Sequence, residues 1–299
     1  MEKFFWPVLL FGLFSPTTSF AQFIMETVPV GDAGNHADPL TGFGAVSDAF
    51  RIGTFEVKNG EYAVFLNAVD PDGINTAKLY NISMSTEARG GISFSAGNSA
   101  GAKYDAKANM ADKPVIFVTY YAMLRFANWM HHGASNYASS ALGAAAVDDG
   151  AYALNGAMAG PLIAKNPGAK WWLPTEDEWY KAAYYKGGSA SAGYWSYATQ
   201  SDTKPGYSFA NASGAGSAGS AGNFANTDRS AGWNGEDGNV TTVGSNGGPG
   251  PYGTFDQNGN VLELCNSGFN ASLVVRRGGS WNISSPADLM TATNRSGQA

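Results

Sequence analysis

Residues 168–185 read GAKWWLPTEDEWYKAAYY and carry the clearest local code in the chain. Thr175 and Glu178 stand three apart, just before an apolar stripe. That is the capping-box spacing, in which each side chain satisfies a free backbone N–H at a helix start. Glu176 and Asp177 fall in the first turn, where carboxylates complement the helix dipole. Trp179, Ala182 and Ala183 form the stripe that should be buried. Two acids in a cleft also suggest general acid–base work. The cap already accounts for Glu178, so the reading here is structural.

Upstream of this helix the same logic continues. Thr119 is a good N-cap for a helix over 120–132, with Tyr121, Leu124, Arg125, Phe126, Trp129 and Met130 gathering aromatics on one side and Gly133 ending it. Tyr62, Phe65, Leu66 and Val69 follow helical spacing, with Asn59 as the cap and Asp70-Pro71-Asp72-Gly73 as the closing turn. Asp70 and Asp72 are turn residues on this reading, not metal ligands. Alternation over Phe50–Val57 predicts a strand, Val115–Val118 a second short one, and 84–113 a hairpin or loop. Residues 28–49 are turn-rich and read as a loop-bound segment.

The composition bounds the function. The chain has 299 residues, 18 Lys plus Arg against 24 Asp plus Glu, and a formal net charge of −6. A nucleic-acid partner needs a basic face and is not expected. Aromatics make up 13%, enough for a core and too many for a disordered chain. Glycine numbers 39, nearly twice the usual share of about 7%, which points to a loop-rich domain. A single cysteine, Cys265, excludes an intrachain disulfide and any Cys-pair metal site. It reads as a small buried hydrophobe.

Residues 1–21, MEKFFWPVLLFGLFSPTTSFA, read as a signal peptide. Lys3 supplies the positive end, Phe4–Phe14 the short apolar run, and Ser19 and Ala21 a cleavage site before Gln22. No later run is long enough to span a bilayer. The mature chain is expected in a secreted, periplasmic or cell-surface setting. Residues 22–299 are expected to form one domain, with a flexible Gly/Ser/Ala loop over 186–222 inside it. Asn81 and Asn239 sit in glycosylation sequons, which matter only in a host that uses them. His131 and His132 fit a helix C-terminus, and adjacent helical positions point about 100° apart, so they chelate poorly. His36 is the only other histidine.

Five stretches in order, FRIGTFEVKNGEYAVFLNAV (50–69), PVIFVTYYAMLRFANWM (114–130), WWLPTEDEW (171–179), YGTFDQNGNVLEL (252–264) and VVRRGGSW (274–281), together resemble the formylglycine-generating enzyme / sulfatase-modifying factor family. That family carries LPTEAEWE, GNVWEW and RGGSW in this order. The likeness covers about residues 28–299 and is strongest to secreted bacterial members. It implies an α+β fold related to C-type lectins, with short helices packed on small antiparallel sheets and much irregular loop. Relatives continue with a further strand ending in a Gly-Phe-Arg-type motif, so the resemblance implies a chain that stops short of the family's C-terminus.

The resemblance also implies metals. One calcium site matches Asp256 and Glu263 through side chains and Gly259 and Val261 through carbonyls, an all-oxygen set that suits a hard cation. A second matches the Asn223 and Asp237 side chains and the Phe224 and Asn239 carbonyls. The family's oxidase holds Cu(I) between two thiolates, soft ligands for a soft ion. The matching places here are Ile283 and Asp288, so Cu⁺ and formylglycine synthesis are not expected. Ser280 of the family's active site is retained. Leu262 replaces a tryptophan in one wall of the family's peptide groove, and Trp172 replaces an arginine.

The expected function is therefore a non-catalytic, calcium-stabilised module for a carbohydrate or a protein or peptide ligand, with no catalytic residues assigned. Trp195, Tyr197, Trp233, Tyr252 and Trp281 lie in or beside loops and are candidates for stacking on a ligand. The alternatives are an oxidoreductase that converts a substrate cysteine to formylglycine or performs a related oxidation, and a diversified receptor whose variable surface is 282–296. An iron site of two histidines and a carboxylate would need His36 to converge with His131 or His132.

Overall fold

The computed structural model describes residues 23–134, 147–282 and 289–298. The expected signal peptide, Ile283 and Asp288 lie outside the described residues. Among those residues the chain forms short elements joined by long irregular stretches. In order they are β1 (Thr27–Val30), β2 (Phe50–Gly53), α1 (Asn59–Val69), α2 (Ser83–Thr86), β3 (Ile92–Phe94), β4 (Tyr104–Ala106), α3 (Tyr120–His131), α4 (Glu176–Tyr184), β5 (Gly206–Tyr207), β6 (Phe224–Ala225), β7 (Glu263–Gly268), β8 (Val274–Arg277) and β9 (Ser296–Gln298). Three sheets are antiparallel: β1-β2, β3-β4 and β7-β8-β9. The two-residue pair β5-β6 is parallel. This is the α+β architecture of short helices on small sheets.

Both capped helices form as their sequences require. Thr175 Oγ1 accepts from Glu178 N at 3.2 Å, and Glu178 Oε2 accepts from Thr175 N at 2.8 Å. Thr119 Oγ1 accepts from Ala122 N at 3.2 Å. In α3 burial covers more than one stripe. Phe126, Trp129 and Met130 pack on Tyr62, Phe65 and Leu66 of α1. Tyr120, Tyr121, Leu124 and Ala127 pack on Tyr152, Leu154, Leu264 and Val274. The helix thus lies between the N-terminal core and the C-terminal sheet. Arg125 is buried within it because its guanidinium is paired with Asp148 at 2.6 Å. The third core cluster joins Trp179, Tyr180, Ala183 and Tyr184 of α4 to Cys265 and Val275.

Several local expectations are corrected. Asn59 is not the N-cap; Lys58 is, and Asn59 Nδ2 instead donates to the carbonyls of Met110, Lys113 and Pro114. The strand at Phe50 stops at Gly53, and the segment before it contributes β1 as its partner. Val115–Val118 is not a strand: Phe117 has φ 63°, which breaks an extended run. The glycine-rich stretch over 186–222 makes hydrogen bonds through its backbone to the 242–248 segment. Gly216 N donates to Ser245 Oγ, Thr242 N to the Gly214 carbonyl, and Gly248 N to the Gly222 carbonyl. A Cβ at Gly216 would lie 2.3 Å from the Ser245 carbonyl oxygen, so that glycine permits close backbone approach as well as a turn.

Candidate functional site

The loop 254–263 runs from the Phe55 neighbourhood into β7. Phe255 N donates to the Thr54 carbonyl, and the Phe55 and Phe255 rings stack at 5.4 Å. Asp256, with φ 59°, turns its carboxylate inward to accept from Gly244 N at 2.5 Å and Asn246 Nδ2 at 2.8 Å. Glu263 opens β7, and its Oε2 accepts from Trp179 Nε1 at 2.9 Å. Its Oε1 is buried with no hydrogen-bond partner. No donor among the described residues bonds the Gly259 or Val261 carbonyl.

A third acid joins this region from β2's end. Both Glu56 carboxylate oxygens are buried and without a hydrogen-bond partner. Burial, then the charges of Asp256 and Glu263, push its pKa well above the usual carboxylate range. Burial likewise lifts Asp256 to about 6 and Glu263 to about 7. Buried carboxylates that repel one another need protons or a cation. Among the described residues no three acidic, histidine or cysteine side chains close into a ready-made metal cluster. The oxygens that fit a hard cation are the Asp256 and Glu263 carboxylates and the two free carbonyls. Of these, Glu263 Oε1 and the two carbonyls lack a hydrogen-bond partner among the described residues and both Asp256 oxygens are hydrogen-bonded; an all-oxygen set is the chemistry a hard cation takes. Glu56 escaped the sequence reading because alternation over Phe50–Val57 reads it as one more strand position, 200 positions before Asp256.

The residues of the second expected calcium site do not come together. Asn223 bonds Thr199 and Ser201, while Asp237 is 82% exposed and pairs with Arg229 at 3.3 Å. Asn226 is the asparagine brought to Asn239: its Nδ2 donates to the Asn239 carbonyl at 2.9 Å, and its Oδ1 is buried and unpartnered. The Phe224 carbonyl faces Gly247 instead. Asn239 is fully buried, which removes it as a glycan acceptor.

Among the described residues, Cys265 and the three histidines form no common cluster. Cys265 is fully buried in mid-β7, and burial raises its thiol well above the usual range. We therefore expect Cys265 to resist thiol reagents in the native protein and to react fully in denaturant; rapid labelling of the native thiol would contradict its burial. His131 Nδ1 accepts from Lys170 N, whereas His36 is bonded to the 190–194 segment, so the three histidines do not converge. Ser280 is buried, with Oγ accepting from Asn282 N at 3.4 Å.

Beside the acidic loop lies an open cavity of about 570 Å³. Apolar groups dominate its wall, from β1 and β2, α3, the 171–174 segment and residues 255–264. Phe55, Trp171, Trp172, Phe255 and Leu262 supply much of it. A sealed, empty void of that size would cost about 14 kcal/mol, comparable to a whole domain's stability. The space is instead open, and its size is that of sites that take small organic ligands. Two positions read as departures from the family pattern, Trp172 and Leu262, both border it. The five aromatics expected to stack on a ligand do not. Trp233 and Tyr197 are buried, Tyr252 bonds Asp32, and the rings of Trp195 and Trp281 are covered by Lys186 and Arg89.

These features belong to a known class. The profile of the sulfatase-modifying factor enzyme 1-like domain matches residues 22–299. The chain belongs to that family. Among solved structures it is similar to one titled "Crystal Structure of CarF", with 18% identity, a TM-score of 0.52 and 92% of each chain covered. It is also similar to Treponema denticola variable protein 1, with 18% identity, a TM-score of 0.49, and 91% of this chain and 89% of that one covered. At this identity the CarF likeness shows the shared fold alone. No curated protein matches the sequence. Among the described residues no helix is long and apolar enough to cross a membrane.

Proposed function

We propose that this protein is an exported, non-catalytic member of its family that binds a ligand in the cavity beside the 254–263 loop and is stabilised there by calcium. The observation that carries the reading is the open, aromatic-walled volume of about 570 Å³ bordered by that loop. Its apolar wall favours an apolar group, such as a peptide side chain, over a carbohydrate. Export is supported by the apolar leader and its Ser19/Ala21 cleavage pattern. The absence of catalysis is supported by the donor set. One thiol in the whole chain cannot supply the two soft ligands that Cu(I) needs, and Ile283 and Asp288 stand at the places where the family puts them.

Calcium is proposed at Asp256, Glu263 and the Gly259 and Val261 carbonyls. Anything that binds the native state alone raises the melting temperature. We expect calcium to raise the Tm of chelator-treated protein and Glu263→Gln to abolish that rise, read by calorimetry and by terbium luminescence from the adjacent Trp179. A wild-type Tm that ignores calcium would remove the ion from the proposal. The ligand reading is tested separately by tryptophan fluorescence during titration with apolar probes, since Trp171 and Trp172 border the cavity. Fluorescence unmoved by every probe would end it.

A further inference from the structure

We infer that the cavity's ligand is a long-chain monocarboxylate, an apolar tail carrying one anionic head. This rests on the ligand-binding reading above and specifies its chemistry. The tail follows from the wall, where Trp171, Trp172, Phe255 and Leu262 leave few polar partners for a sugar or a polar peptide. Burying an apolar chain against such a surface is favourable in proportion to the area removed from water.

The head follows from the charges at the cavity's edge. Arg51 and Lys170 both border the space and both are exposed. Neither pairs with a carboxylate among the described residues. Arg51 is held in place instead by Thr27, donating from Nε to Thr27 Oγ1 at 2.9 Å and from Nη2 to the Thr27 carbonyl at 2.6 Å. That leaves a fixed guanidinium with donors to spare, and a planar fork suits a carboxylate. The acids along the same wall pair with neither cation. Glu56 has both oxygens sealed from solvent, Glu263 has one sealed and one bonded to Trp179, and Glu178 Oε2 is held by Trp172 Nε1 and Thr175 N. In a chain of net charge −6, two unpaired cations on the lip of one apolar cavity select an anion.

Leu262 supplies the control. At this position the family resemblance places a tryptophan, a side chain that would fill part of the space. Leu262→Trp should therefore block the cavity while leaving the surrounding core intact.

The experiment is a titration of the full chain, by calorimetry and tryptophan fluorescence, with dodecanoate, dodecanol and dodecyltrimethylammonium, all below their micellar ranges. Dodecanoate should bind best. Arg51→Ala with Lys170→Ala should weaken it by about tenfold or more, the scale of a charge-assisted hydrogen bond. Leu262→Trp should abolish binding without lowering the Tm. Equal binding of dodecanol, or unchanged dodecanoate binding in the double variant, would overturn the assignment of the head while leaving an apolar site standing. Failure of all three probes to bind would overturn both this inference and the ligand reading beneath it. Dodecanoate binding that survives Leu262→Trp would place the ligand elsewhere and overturn it as well.

Discussion

Glu176→Ala is expected to destabilise the protein by about 3–5 kcal/mol, the cost of stranding buried charge, and to lower the Tm by roughly 10 °C. Glu176 and Arg277 are almost completely buried, and their side chains meet at 2.7 Å. Arg295 reaches the second Glu176 oxygen at 2.9 Å. Arg277 Nη1 also donates to the Ala292 and Asn294 carbonyls, and its guanidinium lies near the rings of Phe43 and Tyr180. One carboxylate at the start of α4 thus fastens β8 and the segment leading into β9. Burial tends to raise the Glu176 pKa, and the two arginines pull it back. Removing the carboxylate leaves two cations, one with no access to water. Arg277→Lys should also be costly, because an ammonium cannot reproduce a fork used in several directions. Glu176→Gln should fall between wild type and alanine, since it keeps hydrogen-bond acceptance and loses charge. Urea denaturation of the three variants gives the comparison. A loss below 1 kcal/mol for alanine would mean that water enters this site and the triad is not buried in solution.

The features that local sequence could reveal are the ones whose physics is local. Thr175 with Glu178, and Thr119, cap helices through contacts three residues apart, so spacing alone exposed them. Glu176 was legible as a first-turn acid, but its partner stands 101 residues away, and no periodicity reports that distance. Asn59 shows the opposite failure. An asparagine before an apolar helical run looks like a cap, yet three carbonyls from the 110–114 segment compete for its amide and win. Glu56 alternates as a strand residue in the sequence, and nothing in the Phe50–Val57 run announces two other acids beside it. The cavity was hidden for a different reason. Apolar periodicity marks residues that avoid water, and it gives the same signal for a packed core as for a wall left without an inner neighbour. The two departures from the family pattern, Trp172 and Leu262, were visible early. Their meaning depended on seeing that both face one volume.

The ordered-asparagine network beneath the 254–263 loop yields the sharpest comparison, because two glycines share one positive φ. Gly259 and Gly188 both have φ +87°. Around Gly188 nothing stands within 4 Å of an added Cβ, whereas at Gly259 that atom would lie 2.4 Å from the Asn226 carbonyl oxygen. Alanine at either position carries the left-handed penalty of about 1–2 kcal/mol. Only at 259 must the backbone also move. The Asn226 carbonyl accepts from Asn260 N at 2.8 Å, and Asn226 Nδ2 bonds the Asn239 carbonyl, Thr241 Oγ1 and Asn260 Oδ1, all buried. Gly259 N is itself bonded to the Gly278 carbonyl at 2.8 Å, so the glycine cannot retreat without releasing the turn before Ser280. Overpacking and a broken buried hydrogen bond each cost about 1–3 kcal/mol. Gly188→Ala should therefore lose only the conformational penalty, and Gly259→Ala should lose about 3 kcal/mol more by chemical denaturation. Because the φ contribution is common to both, the difference isolates the contact between the loop and Asn226. Equal losses would mean that the loop can lift away from Asn226 at no cost, and the carbonyls at 259 and 261 would then lack the fixed frame that a cation requires.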